Sequence, residues 1–196
     1  MNVLSSVLHD IVTVSPADFE SRSDEKLIYG VHSSPFGPAL IAVLEDRLCG
    51  FLFQGSLSED NFYFQAQRHL NTSLTHYRPD VTESFMNRAL KEEVPPLILS
   101  GTPFQLSVWK ILTQIPKGSV VTYQELAETI GSPRAMRSIG QALKANPIAY
   151  ILPCHRVISA SGRLGGYRWG VLLKKNLLEA EGISEFEGDD AQSQIL

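Results

Sequence analysis

The chain has 196 residues, 43% of them apolar and 19% charged, which supports a real core and excludes a disordered chain. Its net charge of -4 conceals an uneven distribution: residues 1–99 carry 7 Lys/Arg against 13 Asp/Glu, residues 100–182 carry 10 against 4, and residues 183–196 carry 0 against 4. A basic surplus confined to one segment marks where a polyanion would bind.

The only cysteines, Cys49 and Cys154, are far apart and show no C-x-x-C spacing, which argues against a disulfide framework or a cysteine-rich zinc site. No apolar run approaches the roughly 20 residues of a membrane span, and Met1-Asn2-Val3-Leu4 lacks the basic start of a signal peptide. A protein of the reducing cytoplasm, without membrane contact, is expected.

The polar, acidic residues 1–26 read as an N-terminal extension. From Leu27 the pattern turns apolar in three runs, Leu27–Val31, Ala39–Leu44 and Leu48–Phe53, separated by Pro35-Phe36-Gly37 and Glu45-Asp46-Arg47. These predict a three-stranded antiparallel sheet. Cys49, flanked by Leu48, Gly50 and Phe51, reads as a small buried apolar residue. Residues 57–70 and 83–92 read as helices, and Pro95-Pro96 marks an extended connection, giving an N-terminal α/β domain over 27–94 and a second domain over 95–182.

The second domain is punctuated helix by helix. Thr102-Pro103 supplies an N-cap and a first-turn proline, with Phe104, Val108, Trp109, Leu112 and Ile115 on one face. Thr122-Tyr123-Gln124-Glu125 is a capping box opening a helix that stops at Gly131. Ser132-Pro133 opens a third, carrying Arg134, Arg137 and Lys144, which must end before Asn146-Pro147. Two short helices around the Gly131-Ser132 turn form a helix-turn-helix arrangement; such pairs more often only pack a core, and it is the basic third helix that favours DNA. Ile148–Leu152 reads as a buried strand, 165–170 as a glycine-flanked loop, and Val171–Glu181 as a last helix before Gly182. The acidic tail, residues 183–196, is expected to be disordered.

The strand would deliver the chain to Pro153-Cys154-His155-Arg156-Val157. A thiol is a useful nucleophile only as thiolate, made by a neighbouring base or positive charge, and His155 and Arg156 follow at once. On a regular strand adjacent residues face opposite ways, so His155 assists Cys154 only if the backbone turns there. A buried structural cysteine beside a surface histidine is the competing reading. A cysteine hydrolase would further need an orienting third group and an oxyanion hole, and no Gly-x-Cys-Gly turn occurs.

From Gly101 to Gly182 the chain resembles the C-terminal domain of the O6-alkylguanine-DNA alkyltransferases, or methylated-DNA:protein-cysteine methyltransferases. The motifs fall in family order: Phe104-Gln105 with Val108-Trp109, Ile115-Pro116-x-Gly118, Thr122-Tyr123-Gln124-Glu125-Leu126-Ala127, Ile130-Gly131-x-Pro133-Arg134-Ala135-x-Arg137, Ala145-Asn146-Pro147, Pro153-Cys154-His155-Arg156-Val157, Gly166-Tyr167-Arg168-Trp169-Gly170 and Leu177-Leu178-x-x-Glu181-Gly182. Residues 27–99 resemble the family's N-terminal domain more loosely, and the Gly-Tyr-Arg-Trp-Gly loop is most similar to the alkyltransferase part of bacterial adaptive-response proteins. The regulatory domains of those proteins are not expected here.

The resemblance implies an α/β (α+β) protein whose mainly helical C-terminal domain carries a winged helix-turn-helix-like arrangement. It implies that Cys154 takes the alkyl group of O6-alkylguanine, chiefly O6-methylguanine and also O4-methylthymine, and keeps it as a thioether. His155, through a water and with Glu181 behind it, would generate thiolate; Asn146 would brace the turn, Tyr123 would protonate the departing guanine, and Lys174 would support activation. Tyr167, Val157, Ala149 and Trp169 would line the alkyl pocket. Arg137 would plug the stack emptied by the flipped base, while Arg134, Gln124, Ala135 and Ser138 would meet DNA from the minor groove. No cofactor and no metal are implied, since His9, His32, His69 and His76 are scattered, and the protein is expected to be a monomer, with cooperative binding on DNA left open. The alternative within the resemblance is a damage-recognition protein that binds alkylguanine without transfer, although such relatives lack the acceptor cysteine.

Overall fold

A computed structural model of the chain describes residues 10–186. Ile11-Val12-Thr13-Val14, rich in β-branched residues, forms strand β1, and helix α1 (Pro16–Lys26) follows, with Pro16 in its first turn and Ser15 Oγ accepting from Asp18 N at 3.1 Å. Residues 11–26, expected as an extension, thus supply regular structure to the sheet, while residues 1–9 lie outside the described residues.

Strands β2 (Ile28–His32), β3 (Ala39–Leu44) and β4 (Arg47–Phe53) pair antiparallel, in the positions that the apolar runs predict. The sheet, however, has six strands rather than three. Helix α2 (Glu59–Leu70), strand β5 (His76–Tyr77), helix α3 (Pro79–Leu90) and strand β6 (Leu97–Ser100) follow, and the strand order is β1-β6-β4-β3-β2-β5. All three added strands pair parallel with their neighbours: β1 with β6, β6 with β4, and β5 with β2. They are short and joined to their partners through helices, so neither alternation nor a hairpin turn announces them. All six residues of β3 are buried, because the sheet is covered on both faces, and this accounts for an uninterrupted apolar run. Strand β6 lies beyond Pro95-Pro96 yet belongs to this sheet.

The remainder is mainly helical. Helix α4 (Pro103–Leu112) starts at a full capping box between Thr102 and Gln105, and helix α5 (Tyr123–Thr129) at another between Thr122 and Glu125. Gly131, at φ +73°, supplies the left-handed residue that turns the chain into helix α6 (Met136–Lys144). Trp109 Nε1 donates to Ala142 O at 2.9 Å, tying α4 to α6. Strands β7 (Val121–Thr122) and β8 (Val157–Ile158) pair parallel, and helix α7 (Val171–Ala180) closes the domain. One buried cluster runs from the sheet through α4, α6 and α7. Residues 187–196, most of the acidic tail, lie outside the described residues.

Candidate active site around Cys154

Residues 148–152 do not form the expected strand. Ile148 makes one isolated bridge to Phe51, and the chain then turns, with Tyr150 at φ +68°. Asn146 explains the turn. Its Oδ1 accepts from Ile148 N at 3.0 Å, and its Nδ2 donates to Leu152 O at 2.8 Å and to Cys154 Sγ at 3.1 Å. A fully buried amide that engages both ends of a short segment folds that segment back on itself, which an extended strand cannot do.

The segment ends in a 3₁₀ turn, Cys154–Arg156. At about three residues per turn, successive side chains are no longer opposed as on a strand, and Cys154 and His155 are 5% and 0% exposed. His155 Nε2 lies 2.9 Å from Glu181 Oε1, just beyond α7. Arg156 grips the same carboxylate with two bonds, Nε to Oε2 at 2.9 Å and Nη2 to Oε1 at 2.8 Å, while its Nη1 donates to Ile115 O at 2.6 Å.

The electrostatics fix the tautomer. Burial pushes the Glu181 carboxyl upward, but the bonds from His155 and Arg156 outweigh it and hold the pKa down to about 2. An ionised carboxylate only accepts, so His155 Nε2 carries the proton and Nδ1 carries the lone pair. Nδ1 is buried with no hydrogen-bond partner among the described residues. Burial also lowers the His155 pKa, with Glu181 opposing, so the resting ring is neutral and basic.

The Cys154 thiol is pushed upward by burial, opposed first by the Asn146 amide and then by the Lys174 charge. Lys174 is fully buried, donates to Val157 O at 2.6 Å and to Leu164 O, and has its pKa brought by burial down to about 8. A cavity of about 290 Å³ opens over Cys154 and is lined also by Tyr123, Gly140, Leu143, Lys144, Gly166, Tyr167, Arg168 and Trp169. Burial, then the neighbouring Cys154, raises the pKa of Tyr123, which remains a phenol. Gly55 approaches the Trp169 carbonyl so closely that a Cβ would sit 2.8 Å from it, which seats the 165–170 loop against the end of β4.

The pocket residues expected from the resemblance divide. Tyr167 and Trp169 line this cavity, whereas Val157 and Ala149 are fully buried and not among its lining residues. Val157 pairs with Val121, and Ala149 N donates to Phe51 O at 2.8 Å. Gln124, Arg134, Arg137 and Ser138 are exposed on α5, α6 and the turn between them, with Ala135 half-buried at the start of α6. Gly140 and Lys144 of α6 border the cavity, so the basic helix and the thiol share one mouth.

Comparison with known proteins agrees with this geometry. Residues 103–183 match the family profile described as the 6-O-methylguanine DNA methyltransferase DNA-binding domain. The methylated-DNA–protein-cysteine methyltransferase of Methanosarcina acetivorans is 37% identical over 166 residues, covering 80% of this chain and 99% of that protein. The chain belongs to the methylated-DNA–protein-cysteine methyltransferase family. The bifunctional transcriptional activator/DNA repair enzyme Ada of Escherichia coli is 37% identical over 164 residues, and there the match spans 46% of the relative's length. Among solved structures, the Mycobacterium tuberculosis OGT in complex with DNA matches with TM-score 0.62 and 34% identity, over 79% of this chain and 92% of that one.

Arg156 has a second role that its sequence position does not show. From the sequence it is only a positive charge near the thiol, whereas its guanidinium holds Glu181 and Ile115 O. Its place directly after Cys154-His155 was the available signal; the partner, 25 residues away, was not legible. Gly140, Leu143, Lys144, Gly166 and Arg168 were likewise not expected to line the pocket.

Proposed function

We propose that the protein repairs O6-alkylguanine in duplex DNA by moving the alkyl group to Cys154 Sγ. The carrying observation is the buried thiol, held at 3.1 Å by the Asn146 amide and opening onto a cavity bordered by the basic helix α6. The target base leaves the stack to reach the cavity, since O6 is otherwise paired, and Arg137 fills the gap while α6 lies in the minor groove. Arg134, Gln124, Ala135 and Ser138 meet the backbone and groove without reading sequence.

In the reaction, the Cys154 proton passes through a water to His155 Nδ1, and Glu181 stabilises the imidazolium that results. Thiolate attacks the alkyl carbon in line; the C–S bond forms as the C–O6 bond breaks, and the electron pair returns to the purine, which takes a proton from Tyr123. Lys174 favours the thiolate by its charge. Tyr167 and Trp169 enclose the alkyl group, with Val157 and Ala149 packed outside the lining. The thioether has no route back, so each molecule acts once, needs no cofactor and works as a monomer in the bacterial cytoplasm. Methyl on guanine O6 is the chief substrate and O4-methylthymine a second. No helix among the described residues is long and apolar enough to cross a membrane.

Incubation with duplex DNA containing O6-methylguanine, followed by peptide mass analysis, should place one methyl on the Cys154 peptide and restore guanine. Tight binding to that DNA with an unmodified Cys154 would favour a non-transferring damage marker and overturn the proposal.

A further inference from the structure

We propose that His69, in the last turn of α2, is a positioning residue that holds the acceptor thiol in register from the N-terminal half of the chain. This rests on the alkyl-transfer reading of Cys154 given above. His69 Nε2 lies 2.8 Å from the backbone oxygen of Asn146, 77 residues away in sequence. A carbonyl only accepts, so Nε2 carries the proton and donates. Burial holds the ring's pKa down to about 4, so it remains a neutral donor at working pH.

The bond matters because of what else Asn146 does. Its backbone N–H donates to Leu143 O at 3.2 Å, its Oδ1 accepts from Ile148 N, and its Nδ2 is divided between Leu152 O and Cys154 Sγ. The carbonyl is the remaining polar group, and its partner comes from outside the C-terminal helices. With it fixed, the peptide plane between Asn146 and Pro147 cannot rock, and the amide stays aimed at sulfur. The backbone of Phe51 in β4 grips the next residues, its N–H donating to Pro147 O at 3.0 Å and its carbonyl accepting from Ala149 N at 2.8 Å. The His69 ring also meets the edge of Trp169, at 6.5 Å between centroids and 87° between planes. One side chain therefore abuts both the amide that holds the thiol and an aromatic wall of the cavity.

Freeing the Asn146 carbonyl should weaken the amide–sulfur bond, which favours thiolate, and so slow transfer without affecting DNA binding. The test is single-turnover methyl transfer from saturating O6-methylguanine duplex across a pH series, with DNA affinity and melting temperature measured alongside. For His69→Leu we expect transfer about tenfold slower, the loss of roughly one buried hydrogen bond, with the rise of the pH profile moved upward and DNA affinity within about twofold of wild type. His69→Gln, whose amide nitrogen can occupy the place of Nε2, should recover transfer to within about threefold of wild type. Should His69→Leu fail to fold, His69→Asn, too short to reach the carbonyl, takes its place with the same expectation. Wild-type rates in the Leu or Asn variant, equal losses with Gln, or slowing with an unmoved pH profile would each overturn the positioning role. Absence of transfer in wild type would overturn the alkyl-transfer reading itself and this inference with it.

Discussion

The acceptor segment, residues 146–157, and the helix pair α5–α6 stand side by side over one cavity and are built on opposite principles. The helix pair is local: a capping box starts α5, a left-handed glycine turns the chain, and Arg134 and Arg137 are exposed, their side chains making no hydrogen bond or ion pair to other described residues. The acceptor segment is non-local: its buried polar groups are satisfied by Glu181, Ile115, Phe51 and His69, from 25 to 98 residues away. Charge left exposed is available to a polyanion and can be changed with little structural cost. Charge buried in a closed network orders the site and cannot be removed singly. The contrast predicts that variants of the acceptor network alter stability and chemistry together, whereas variants at the exposed arginines of the helix pair alter DNA handling alone.

The hardest test of that contrast is Glu181→Gln. It leaves the guanidinium of Arg156, a residue 9% exposed, without a carboxylate and allows His155 to take either tautomer. Transfer should fall by about 100-fold or more, the usual worth of a general base, and stability by about 3–5 kcal/mol, the cost of breaking a buried pair. Single-turnover kinetics and denaturant unfolding of the same sample check both. Unchanged stability would mean that the two regions are not built differently. Asn146→Ala should follow, with about 2–3 kcal/mol lost from its buried hydrogen bonds and transfer slowed by about tenfold or more.

Arg137→Ala probes the other side. Its melting temperature should match wild type, because exposed substitutions stay within about 0.5 kcal/mol. Transfer from duplex DNA should nonetheless slow by about tenfold, through lost support of the flipped state, which costs a few kcal/mol to reach. Transfer from a single-stranded oligonucleotide, where nothing needs to be flipped, should change little; an equal loss on both substrates would remove the plug role and leave a phosphate contact.

The same division decided what could be read from the sequence. Helices α4, α5 and α7 announce themselves because caps, a first-turn proline and glycine stops act on neighbouring residues, and the antiparallel β2–β4 runs are legible from their turns. The parallel partners β1, β5 and β6 are too short and too distant from their neighbours to be seen. Ile148–Leu152 reads as a strand because its apolar run has the pattern of one; the tether that turns it is Asn146, and the effect of that side chain depends on where Leu152 and Cys154 come to lie. Motif order drew Cys154, His155, Asn146 and Glu181 to attention, but His69 and the Arg156–Glu181 fork belong to contacts that no local pattern encodes.

The smallest expected effect sharpens the comparison most, because it sets two carboxylates of the same chemistry in the two regions. Glu181 has its pKa lowered to about 2 from an ordinary 4.5 and is 7% exposed at its side chain. Glu125, in the capping box of α5, is also lowered, by bonds from Thr122 N and Oγ1, but stands in water. A depressed folded-state pKa means that the unfolded chain binds the proton first. The stability each group contributes is therefore complete above the unfolded value and is lost as pH falls from about 4.5 toward the folded value. Unfolding midpoints measured from pH 6 to pH 2 should fall on acidification in wild type, and Glu181→Gln should remove a clear part of that slope across the whole window from about 4.5 to about 2. Glu125→Gln should remove only a shallow part near the top of the window, since solvent screens its bonds. Equal slopes lost in the two variants would show that burial does not separate the acceptor segment from the helix pair, and that the DNA-facing helices are held as tightly by charge as the thiol is.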